Sequence, residues 1–132
     1  MPCWTMTFDG RKECVADARH FAVKVLGDAP GVDLVELVAS ELAGNAVQHS
    51  DSGLPGGQFV LRVAELQDRW QVRVDDAGGS MEPNMRDTEA ERDEAGRSLA
   101  LVAAVSSQWG VVGDRNGRGV WAEILMPAEG TA

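Results

Sequence analysis

Apolar residues in the first third of the chain follow a helical period. Val15, Ala18, Phe21, Ala22 and Val25 fall three, four or seven positions apart, the spacing of one helix face. This predicts a helix from Glu13 to Leu26, closed by Gly27. Trp4 to Phe8 before it reads as a short strand, and Asp28 to Gly31 after it as a turn. The longest helical pattern runs from Val32 to about Ser50, with Leu34, Leu37, Val38, Leu42 and Ala46 in one broad arc. The stretch DSGLPGG that follows has loop composition.

The period then changes to two. Phe59, Leu61, Val63, Val72 and Val74 alternate with polar neighbours, which predicts strands over Gln58–Leu66 and Trp70–Asp75 joined through Gln67–Arg69. From Gly78 to Gly96 the chain is rich in acids and nearly free of apolar side chains apart from Met81 and Met85. Such a stretch has little to bury and is expected to be a mobile loop that can include a helical turn. Ser98 to Ser106 returns to an apolar helix. Gln108–Gly113 and Val120–Met126 read as a hairpin across Asp114–Gly117, where Asn116-Gly117 is a strong turn signal. Helices and strands cluster in runs, which favours an α+β two-layer sandwich over a strictly alternating α/β fold.

Three polar groups break this pattern. Glu41, Asn45 and His49 lie four residues apart inside the apolar arc of the second helix. A buried polar group left without a partner costs roughly 1–3 kcal/mol, so either a private hydrogen-bond network or a ligand pocket must satisfy the stripe. Both readings stay open from the residues alone. The second group is Asp75-Asp76-Ala77-Gly78-Gly79 at a strand end, which serves as ordinary turn chemistry or as an acceptor beside a flexible backbone. The third is Gly96-Arg97-Ser98-Leu99, where the loop meets a helix. It reads as a plain helix start capped by Ser98, or as a cradle of backbone N–H groups for phosphate.

At 132 residues the chain fits one domain over residues 1–132. Its formal net charge of −9 argues against direct nucleic-acid binding, which relies on Lys and Arg neutralising phosphates. The same charge suits a basic protein partner. Cys3 and Cys14 lack metal-ligand spacing and are expected as reduced thiols in a cytoplasmic protein. No segment has the length of apolar sequence needed to cross a membrane, and the N-terminus does not resemble a signal peptide. His20 sits on an ordinary amphipathic helix and is expected as a surface or packed residue.

Taken in order, ELAGNAVQHS, VDDAGGS, GRSLALV and the closing segments SQWGVVG and GRGVWAEI resemble the boxes of the GHKL, or Bergerat-fold, ATP-binding superfamily. The nearest likeness is to the small anti-sigma-factor serine/threonine kinase branch. The resemblance extends from about Phe8 to Met126. It implies a mixed, mostly antiparallel sheet covered on one face by three helices, with an ATP lid at about 79–97. It implies ATP and Mg²⁺ as cofactors, with Asn45 as the metal ligand and Glu41 as the catalytic base. His49, Asp76, Gly78, Gly96, Arg97, Ser98 and Leu99 would complete the nucleotide site, Asp76 accepting from the adenine amino group. The implied protein partners are an anti-sigma-factor antagonist and a sigma factor. Relatives often dimerise, so a homodimer stays open. The chain departs from the family pattern at Ser80 and Ser98, where glycine is usual, and at Gly119, read as replacing an adenine-side threonine.

Overall fold

The computed structural model describes residues 2–78, 89–114 and 116–126, with only the backbone course for 89–96. The elements are β1 (Cys3–Asp9), α1 (Lys12–Leu26), α2 (Val32–His49), a short 3-10 turn (Asp51–Gly53), β2 (Gln58–Glu65), β3 (Arg69–Asp76), α3 (Glu89–Val105), β4 (Gln108–Asp114) and β5 (Gly117–Leu125). The strands form one sheet in the order β1-β2-β3-β5-β4. All four pairings are antiparallel, so the expected parallel component does not occur.

Strand alternation decides which face is covered. Phe59, Leu61 and Val63 of β2, Trp70, Val72 and Val74 of β3, and Ala122 and Ile124 of β5 all point inward and are buried. They meet a helical layer whose buried residues include Ala18 and Ala22 of α1, Val35, Val38, Ala39, Leu42, Ala43 and Ala46 of α2, and Val102 of α3. α2 is the central helix, touching β2, β3 and β5, with α1 and α3 on either side. The small residues Ala39, Ala43 and Ala46 let α2 lie close to its neighbours. Phe8 stacks on Phe59 at 5.5 Å between ring centroids and meets Phe21 edge-on at 6.2 Å. The Trp70 indole N–H donates to the Pro30 carbonyl at 2.8 Å, which fixes the α1–α2 turn against the sheet.

The opposite sheet face is polar. There Arg69 and Gln71 donate to Glu123, and Arg73 donates to Asp75. Leu34, placed inward by the hydrophobic pattern, is instead 38% exposed, because the true core stripe of α2 runs through Val35, Val38 and Leu42.

The largest departure from the sequence reading is α3. It begins at Glu89 rather than Ser98. The run Glu-Ala-Glu-Arg-Asp-Glu-Ala is poor in core-forming residues but rich in strong helix formers, and its acids favour a helix N-terminus. Composition alone read it as loop. The expected mobile lid at 79–97 is therefore helix from Glu89 onward, and residues 79–88, Ser80 included, lie outside the described residues.

Candidate functional site

Glu41, Asn45 and His49 occupy one stripe of α2 and are all half-buried, flanked by the buried Leu42, Ala43 and Ala46. Glu41 and Asn45 thus lie where the core of α2 gives way to a hollow. Beside it, α2 and α3 enclose a cavity of about 250 Å³ lined by Glu41, Gly44, Asn45, Gln48, Arg97, Ser98 and Leu101. The Ser98 hydroxyl donates to Glu41 Oε2 at 2.6 Å. Asn45, one turn further along α2, faces the cavity, and its side chain makes no hydrogen bond to a described residue. Four of the expected site residues, Glu41, Asn45, Arg97 and Ser98, are thereby brought together. His49, at the last turn of α2, does not line this cavity.

Leu99 does not line it either, and Gly96 is described only in its backbone course. The segment 96–99 lies in the middle of α3, where backbone N–H groups point along the helix to carbonyls of the preceding turn. The expected cradle of free N–H groups at a helix start is absent in this conformation, and Ser98 is no cap. The physical reason is the seven-residue helical extension ahead of Gly96, which moves the orphan donors of the N-terminus back to Glu89.

The second part of the site is the corner after β3. Asp76 is half-buried, and its Oδ1 accepts from the Gly78 N–H at 2.6 Å. Burial pushes its carboxyl above the ordinary carboxylate value. The Gly78 N–H, the Arg118 guanidinium and the Arg118 N–H pull it back, while the neighbouring Asp75 charge adds to the rise. Gly78 has φ of 75°, a left-handed conformation that disfavours any side chain. The corner is held from behind by the loop after α2. The Asp51 N–H donates to the Gly78 carbonyl at 2.7 Å, and the Ala77 N–H donates to Ser52 Oγ at 2.8 Å.

Sequence reasoning missed Ser52, which is fully buried, with 0% exposure. The segment around it reads as featureless loop, yet its glycines have a purpose. A Cβ on Gly10 would stand 1.6 Å from the Ser52 carbonyl oxygen, and one on Gly57 would stand 2.2 Å from it. The β1–α1 turn and the start of β2 therefore close over Ser52 backbone to backbone. The clustering of glycine about this serine was the one available signal.

Sequence reasoning also missed Arg118. Gly119, expected on the adenine side, pairs with Asp75 on the open face, where a Cβ would stand 2.6 Å from an Asp75 carboxyl oxygen. The residue across from Asp76 is Arg118, 5% exposed. Strand register, invisible without the structure, shifts that comparison by one residue and so to the other face.

Chemically, the cavity offers the carboxylate of Glu41, the carboxamides of Asn45 and Gln48, the hydroxyl of Ser98 and the guanidinium of Arg97. Among the described residues no group of three or more His, Cys, Asp or Glu could hold a metal ion unaided. A hard cation bound jointly by Asn45 and a phosphate ligand remains compatible with this donor set. No described helix is long and apolar enough to cross a membrane. Cys3 is exposed and Cys14 buried, both as free thiols.

No curated protein sequence matches the chain. Among solved structures, the Acinetobacter baumannii histidine kinase AdeS is similar, at 15% identity and a TM-score of 0.49, over 97% of this chain and 70% of that one. The sequence pattern of the histidine kinase-like ATPase domain matches residues 8–124, from the inward phenylalanine of β1 to the last buried isoleucine of β5. That match takes in the α2 stripe, the β3 corner and α3 together, and with it the chain belongs to the histidine kinase-like ATPase domain family.

Proposed function

We propose that this ATP-binding domain is a protein serine/threonine kinase of the anti-sigma-factor type, acting on a serine of an antagonist protein and able to sequester a sigma factor. One observation carries the reading. Asn45, without a hydrogen-bond partner among the described residues, and Glu41 share one wall of a cavity, one helical turn apart. Phosphoryl transfer asks the protein for positioning, charge neutralisation and one base, and little else.

Each residue has a distinct task in this reading. Asp76 accepts from the adenine amino group, and Gly78 keeps the strand end open. Asn45 would hold Mg²⁺ together with the phosphates, and the ion would offset charge on them. Arg97, on the cavity rim, attracts the same phosphates. Glu41 accepts the proton of an incoming serine hydroxyl as its oxygen attacks the γ-phosphorus, and ADP departs with the bridging oxygen.

Calorimetry tests the binding half of this reading. Mg-ATP should bind, and Asn45→Ala should remove the dependence on magnesium. No heat at millimolar nucleotide would sink it. Glu41→Gln should bind ATP and lose transfer to the antagonist, and unchanged transfer would remove Glu41 as the base.

A second reading is an ATP-binding interaction module with little or no turnover. Two observations favour it. Ser98 already occupies Glu41, and 96–99 sits inside a helix rather than at its start.

A further inference from the structure

The bond between Ser98 and Glu41 has the form of an activated nucleophile. An alcohol oxygen stands 2.6 Å from a carboxylate oxygen, the separation at which a general base takes a proton from an attacking hydroxyl. Both groups are on the wall of the cavity that Asn45 also lines. Position 98 carries a hydroxyl in this chain, which departs from the resemblance drawn from the sequence. Packing does not require it, since Ser98 is only half-buried. Here the hydroxyl occupies the place that an acceptor serine from another protein would take.

We propose that Ser98 is itself a phosphoacceptor, modified by the domain's own bound ATP. The idea rests on the nucleotide reading above. Ser98 Oγ forms a bond to the γ-phosphorus, and the bond from that phosphorus to the β,γ-bridging oxygen breaks. The hydroxyl proton passes to Glu41, which later releases it to water, and ADP leaves with the electron pair of the broken bond. The product carries about −1.5 to −2 charges on the phosphate at neutral pH. That group would repel Glu41, its former partner, and attract the adjacent Arg97. The modified chain would therefore lose the hydrogen bond of the unmodified one and hold its catalytic carboxylate away from the cavity.

The test uses the whole chain, Mg-ATP and no partner protein. ATP binding is measured first by calorimetry. The chain is then incubated with nucleotide and the phosphate located by peptide mass spectrometry. The expected result is one phosphate at Ser98, absent from Glu41→Gln. Ser98→Thr should carry it on the threonine, because the hydroxyl is kept. Incorporation independent of protein concentration marks transfer within one chain. Binding without phosphate at position 98 overturns this inference and leaves the nucleotide reading standing. Absence of binding removes both. Phosphate at position 98 in the Glu41→Gln variant overturns the role of Glu41.

Discussion

Asp76 illustrates how a half-buried carboxyl is kept at a cost to the fold. Its carboxyl is raised above the ordinary value chiefly by burial, so the folded protein binds that proton more tightly than the unfolded chain does. A group of this kind contributes stability below its unfolded value, near pH 3.9, and loses it as pH rises through the folded value. At pH 7 the ionised Asp76 is therefore a liability to the empty protein. Asp76→Asn should melt at higher temperature than the parent at pH 7, and the gap should close as the pH falls below 4. The same variant should bind ATP about 10- to 100-fold more weakly, the usual worth of one hydrogen bond to a charged group. A melting temperature that drops at pH 7 would contradict the burial argument. Ser52 gives the converse case. Ser52→Ala removes the acceptor of the Ala77 N–H and should cost about 1 kcal/mol in denaturant unfolding. It should also loosen ATP binding, because Asp76 and Gly78 hang from that post.

At the scale of elements, α3 is where structure and nucleotide chemistry pull apart. Gly96 lies inside the helix, where glycine is about 1 kcal/mol less favourable than alanine. Gly96→Ala should raise the melting temperature of the empty protein. If the backbone N–H groups at 96–99 serve phosphate, they must first leave the helix ladder, and the added 1 kcal/mol should weaken ATP binding about fivefold. Equal affinity in the variant would show that phosphate is held without unwinding.

Much of this architecture could be read beforehand. The period-two run through Phe59, Leu61 and Val63 placed β2, while the stripe Glu41–Asn45–His49 left both a hydrogen-bond network and a pocket wall open, and only Glu41 and Asn45 of it line the cavity. The start of α3 could not be read from composition, because Glu89 to Ala95 satisfies two patterns at once. It lacks core-forming residues as a loop does, and it has the alanine, glutamate and arginine of a helix. Arg118 was hidden for another reason, since its face depends on pairing with a strand more than forty residues away.

For the molecule as a whole, one continuous apolar layer joins all three helices to the sheet. Thermal unfolding should accordingly be a single transition, coincident by far-ultraviolet circular dichroism and by fluorescence. Phe59 is central to that layer, 1% exposed and stacked on Phe8. Phe59→Ala should cost about 3–5 kcal/mol, a large part of the 5–15 kcal/mol that typically holds a domain folded. Two separate transitions in the parent chain would show that the layer is not one cooperative unit.

The indole that ties the α1–α2 turn to the sheet also sets the optics of the protein. Trp70 is 2% exposed while Trp109 is 38% exposed, so a water-borne quencher such as acrylamide or iodide should dim the second and spare the first. The shielded ring then reports only on global melting, and any colour change on adding nucleotide below that temperature must originate in the other three indoles.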